Sequence, residues 1–148
     1  MLTSLKIIDH IHTDTKIIDE ISLSYEDRFI RRKKLIANNG TEFLVNLEET
    51  KSVDENYYFK LDSGEAIKVI SKEENLIQIT GDNIKQIIWH IGNRHLPCQI
   101  EESRILIQED SVIKEMIIKL GGNVTNVVEK FKPEGGAYGM GRTHSHQH

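Results

Sequence analysis

The sequence predicts an α+β chain in two parts: a small all-β first part of sandwich or barrel type, then a part in which strands alternate with helices. Three observations predict it. Before residue 72, β-branched and apolar residues come in many short runs separated by turn residues. Beyond residue 75, two stretches switch to helical spacing between strand-like runs. From Pro133 onward, glycine and polar residues take over and end in alternating histidines. The expected organisation is therefore 1–72 all-β, 73–134 mixed, and 135–148 a flexible histidine-containing tail.

In the first part, Leu5–Ile8 and Ile17–Leu23 are apolar enough to pair as strands. Arg28–Leu35 leads into Asn38-Asn39-Gly40, and an Asn-Gly step supplies the positive φ angles of a tight hairpin. Thr41–Leu47 is the return strand. Tyr57–Leu61 and Glu65–Ile70 bracket a further turn at Asp62-Ser63-Gly64, and Ser71–Asn75 is expected to be a polar linker.

In the second part, Leu76–Thr80 is a strand, after which Asp82 is placed to cap a helix. Its residues Ile84, Ile87, Ile88 and Ile91 fall at i, i+3, i+4, i+7, and Gly92 is expected to end it in a left-handed conformation. Cys98–Glu102 and Arg104–Ile107 flank Ser103 as a hairpin. Asp110 or Ser111 opens a second helix with Val112, Ile113, Met116, Ile117 and Leu120 on one stripe, and Gly121-Gly122 ends it. Val124–Phe131 is the last strand. The order β-α-β-β-α-β is that of a ferredoxin-like domain.

Charge and cysteine content exclude several functions. A net charge of −4 gives no electrostatic reason for nucleic acid to be a partner. No apolar run is long enough to span a membrane, and no basic segment followed by an apolar core opens the sequence, so no membrane partner and a cytoplasmic location are expected. The single cysteine, Cys98, excludes an intrachain disulfide and fits a reducing compartment. No nucleophile–base pairing, phosphate-binding glycine loop or His-Glu-x-x-His element is present, so the chain is not expected to be an enzyme.

The histidines carry the chemistry. His144, His146 and His148 alternate, and in an extended segment their side chains point the same way, so one ion can take two of them. A purification tag would be a continuous run instead. His95 follows a helix end and lies in a loop, where sites concentrate. A lone imidazole at such a place is more often a surface or capping residue. One imidazole is also too few for a metal site, but a two-fold dimer brings a second His95 to the axis, and tail histidines complete the set. His90 is turned away from His95 by its helical spacing and is expected to be structural, or to support a ligand from behind, more often than to ligate. His10 and His12 are expected to be solvated surface, and Cys98 a small buried hydrophobe. The basic run Arg28, Arg31, Arg32, Lys33, Lys34 is either a strand edge protected by charge or a docking surface for an acidic protein.

The passage Gly92-Asn93-Arg94-His95-Leu96-Pro97-Cys98-Gln99-Ile100 resembles the signature of the urease accessory protein UreE family of nickel metallochaperones. Asp27–Lys34 resembles that family's early basic segment, and Phe131–Gly139 its stretch before a histidine-containing tail. The resemblance implies a peptide-binding-like β domain, a ferredoxin-like metal-binding domain, and a homodimer with Ni2+ between two copies of His95 and added ligands from the tail. It also implies delivery to apo-urease through the GTPase UreG and the other accessory proteins. Gln108-Glu109-Asp110-Ser111 lacks the extra histidines some members carry, and the short tail implies delivery over storage. Imidazole ligation also suits Zn2+ and Cu2+. A cytosolic buffering protein for these ions, without a delivery partner, is the alternative. Ions per dimer and a dimer of dimers around a shared metal stay open.

Overall fold

The structure, a computed structural model, describes residues 1–134. The expected tail, with His144, His146 and His148, lies outside the described residues. The chain divides into two compact units, Met1–Lys72 and Glu73–His148.

The first unit is a sheet of six strands, β1 (Leu2–Ile8), β2 (Ile17–Leu23), β3 (Phe29–Ile36), β4 (Glu42–Ser52), β5 (Tyr58–Leu61) and β6 (Ala66–Ser71). They lie in the order β2-β6-β5-β1-β4-β3. Alternation along the strands puts Phe43, Val45, Leu47, Phe59, Leu61 and Val69 inside, which is the period-two pattern of a sheet with one buried face. The sheet curls, because its edge strand β2 is tied to the tip of the β3–β4 hairpin. Asn38 donates its backbone N–H to the Glu20 carbonyl at 2.8 Å. Buried Asp19 accepts from the backbone N–H of Asn39 at 3.1 Å and from its side-chain amide at 3.0 Å. Burial pushes the Asp19 carboxyl up, but hydrogen bonds from Thr41, Glu20 and Asn39 outweigh it and hold it below its ordinary value. The Asn-Gly turn read from the sequence is thus also the latch of a half-barrel, with Gly40 at φ +94°.

Arg28 departs from the expected basic surface. It ends a 3₁₀ turn (Glu26–Arg28), is 4% exposed, and donates to the Ser71 hydroxyl at 2.7 Å. Only Arg31, Arg32, Lys33 and Lys34 of that run are exposed, on the edge strand β3.

The second unit follows the order β7 (Glu73–Thr80), α1 (Ile84–Asn93), β8 (Gln99–Ile100), β9 (Ile105–Gln108), α2 (Ser111–Lys119), β10 (Asn123–Lys130). The sheet order β10-β7-β9-β8 makes it ferredoxin-like. Ile77, Ile79, Ile105 and Ile107 pack one face of the sheet against Ile87 and Ile91 of α1 and Ile113 and Ile117 of α2. Burying each such side chain contributes about 1.5–3 kcal/mol.

Four local expectations are corrected. The linker shrinks to Lys72, because Glu73–Asn75 extend β7 and pair with Val128–Lys130 of β10. Asp82 does not cap α1: Asn83 is the N-cap, and its side chain donates to the Leu120 carbonyl instead of to its own helix. Val112 is 74% exposed, off the buried stripe, whereas Asp110 caps α2 as expected by accepting from the N–H of Val112 and Ile113. Gly92 is not left-handed; the helix runs one residue past it.

Candidate metal centre

The end of α1 sets the site. His95 donates its backbone N–H to the Gly92 carbonyl at 3.0 Å, and Leu96 donates to the Ile91 carbonyl at 3.4 Å. These two bonds form a Schellman cap, whose turning residue must be left-handed. That residue is His95, at φ 56°. The second helix ends with the same motif: Gly121 donates to Ile118 and Gly122 to Ile117, both at 3.0 Å, but there the left-handed residue is Gly121 at φ +90°. One chain therefore solves the same problem twice, once with glycine and once with histidine. An L-residue in this region costs about 1–2 kcal/mol, a penalty Gly121 escapes and His95 accepts. The cap presents His95 exposed beyond the helix, while half-buried Leu96 packs against the helix-side core and anchors the loop.

The other residues of this stretch have structural work. His90 is half-buried, its ring edge-on to that of Trp89 at 5.0 Å, and its carbonyl accepts from Arg94 at 3.1 Å. Trp89 itself is 64% exposed. Cys98 is half-buried against the core. Burial, and then the nearby Glu134 carboxylate, push its thiol up and disfavour the thiolate. Among the described residues no three histidine, cysteine or carboxylate side chains converge, so one copy of His95 does not by itself make a centre.

Nothing in the residue pattern foretold how the segment before residue 135 is anchored. Lys132 donates its backbone N–H to the Gln99 side-chain oxygen at 2.8 Å, and Glu134 donates to the Cys98 carbonyl at 2.9 Å. The last described residue is thus fixed three positions from His95. Gln99 is held in turn by Glu101, which accepts from its amide at 2.6 Å. Glu101 and Glu129 both bind Arg104, with Glu129 bidentate at 2.7 Å for each contact. Arg104 also donates to Gln78 at 2.9 Å, so one guanidinium joins β7, β10 and the β8–β9 turn. The only sequence signal for this cluster was Glu101 three residues before Arg104.

His10 and His12 stand in the loop after β1, in the other unit. His10 is exposed as expected, yet it has an acidic partner: Asp9 accepts from its Nδ1 at 2.7 Å.

Comparison with known proteins identifies the family. Residues 74–148 match the family model described as UreE urease accessory protein, C-terminal domain. Proteins called urease accessory protein UreE are similar over most of their length. That of Ruegeria pomeroyi is 51% identical over 88% of this chain and 87% of its own, and that of Rhodobacter capsulatus 47% over 88% and 83%. That of Azorhizobium caulinodans is 37% identical over 100% of this chain and 76% of its own. These matches place the chain among the accessory factors that serve urease maturation. More narrowly, it belongs to the UreE family.

Proposed function

We propose that this chain is a nickel carrier for urease assembly, binding Ni2+ between the His95 imidazoles of two copies and closing the ion in with His144, His146 and His148. The observation that supports it most is the left-handed, exposed His95, where glycine would serve the helix better. Backbone strain of this kind persists where a side chain is needed in that place. The anchored tail root adds the reach. Ten Cα steps separate Glu134 from His144, an extended span of about 33 Å, while His95 is at most about 11 Å along the chain from the Cys98 anchor. The chain length therefore lets the tail histidines span the distance back to His95 of the same copy.

Such a site can hold and release. A fixed pair of imidazoles gives a nucleus, and ordering the tail costs entropy that lowers net affinity. Each arm can leave stepwise as an acceptor's ligands enter. Imidazole donors bind Ni2+, Zn2+ and Cu2+ alike, so selection for nickel rests on supply, geometry and the receiving proteins. The receivers in this reading are the GTPase UreG and the apo-urease accessory complex, in the cytoplasm. The chain's own part is binding, not catalysis.

The test is calorimetric metal stoichiometry per dimer for the intact chain, His95→Ala, and a chain ending at Arg142. His95→Ala should abolish the tight site, and truncation should lower affinity or stoichiometry while sparing it. Tight nickel binding that survives His95→Ala would defeat the reading. A chain that binds the ion but forms no complex with the GTPase would be a buffer instead of a carrier.

A further inference from the structure

At the end of β1, in the first unit, a cleft of about 520 Å³ is lined by Lys6, Lys60, His10, His12, Tyr57 and Thr15 together with the apolar Ile7, Ile8 and Ile11. Its size lies within the range of small-molecule sites. Two features of the strands build it. The register of β1 on β5 shifts between Ser4 and Lys6, so that Leu5 is inserted as a bulge. The buried Ser4 hydroxyl donates across this bulge to the Lys6 carbonyl at 3.1 Å. Without the extra residue, Lys6 would fall opposite buried Phe59; with it, Lys6 lies opposite Lys60. Bulges re-aim side chains in this way and concentrate beside sites.

The result is two lysines directly opposite each other on adjacent strands, a like-charge placement that destabilises a sheet. Lys60 donates to the Gly64 carbonyl at 3.0 Å, and among the described residues neither lysine has a carboxylate partner. The only carboxylate in the lining, Asp9, is already bound to His10. The lining is thus rich in cationic donors and poor in free carboxylates, with apolar side chains among them.

We propose that this cleft binds a small ligand bearing oxyanion groups, carboxylate or phosphate, between Lys6 and Lys60, with His12, Thr15 and Tyr57 as further donors. The ligand relieves the repulsion that the bulge creates. The site is independent of the His95 centre, and its tests separate from those above.

The full chain is titrated with inorganic phosphate and, separately, with citrate, at fixed pH and ionic strength, while the His10 and His12 ring resonances and the backbone amides of β1 and β5 are followed by NMR. Saturable shifts confined to these residues are expected. Lys6→Gln and Lys60→Gln should each weaken binding about tenfold, the loss of one charge-assisted contact. Both variants should fold, Lys6→Gln with a thermal midpoint at or above that of the parent because the repulsion is gone, Lys60→Gln close to the parent because it also loses the Gly64 contact, and both should keep the parent's nickel stoichiometry. Saturation by phosphate assigns the phosphate class, and saturation by citrate alone the polycarboxylate class. Shifts that grow linearly with either anion, or that are the same in parent and variants, mean a general salt effect and overturn the site.

Discussion

At His95 a left-handed backbone and an exposed imidazole coincide, and the two can be separated by substitution. His95→Gly removes the ligand but suits the cap, as Gly121 shows at the other helix. It should therefore stabilise the fold, by about 0.5–1 kcal/mol, while destroying tight metal binding. Urea unfolding and nickel titration on the same preparation check both halves. If His95→Gly lost stability, the histidine would be there for packing, and the strain argument would fail. Asp19 shows the opposite relation of residue to fold. Its carboxylate serves the N–H groups of a distant turn and has no part in the chemistry.

The strands and helices were largely legible, because their period is written locally. The stripe Ile84, Ile87, Ile88, Ile91 and the Asn39-Gly40 turn need no tertiary context to be read. What was misplaced sits at element ends. Asp82 and Asn83 are both good caps by composition, and the choice was made by Leu120, whose carbonyl takes the Asn83 side chain. Gly92 offered the commoner residue for a helix end, yet the chain turns at His95. His95 itself was legible from its place in a loop; its conformation was not. The rooting of the tail at Cys98 and Gln99 was invisible, because it joins segments more than thirty residues apart.

Arg104 is where those elements are held together. Arg104→Ala should cost about 1–2 kcal/mol, since its contacts are charge-assisted but partly exposed. Hydrogen bonds from Arg104 hold the Glu129 and Glu101 carboxyls below their ordinary range. A depressed carboxyl stabilises the fold above its unfolded-state value and loses that contribution as pH falls through the folded one, so this effect disappears below about pH 4. Urea midpoints measured from pH 7 to 3 should fall less steeply at the acid end in Arg104→Ala than in the parent. Parallel curves would show that the cluster adds nothing.

At the scale of the whole molecule, the proposed centre requires a second copy. Among the described residues no group of three metal-ligating side chains includes His95, and in the proposed centre the second His95 comes from another copy. The second unit exposes apolar side chains fit to be covered, among them Trp89 at 64% and Val112 at 74%. Trp89 is the chain's single tryptophan, and it lies four residues before the end of the helix that presents His95. At about 1.5 Å of rise per residue, Trp89 is about 6 Å along the axis from the helix end that leads into His95. Ni2+ or Cu2+ bound at His95 should therefore quench tryptophan emission, saturating at one ion per pair of His95 residues, and His95→Ala should abolish the saturable quench. A Trp89→Lys substitution should weaken self-association in sedimentation experiments and lower nickel affinity with it, because a charge there opposes the close approach the two imidazoles need. A Trp89→Lys chain that sediments as the parent does and binds nickel as tightly would remove this helix from the interface, and with it the placement of the ion between paired His95 side chains.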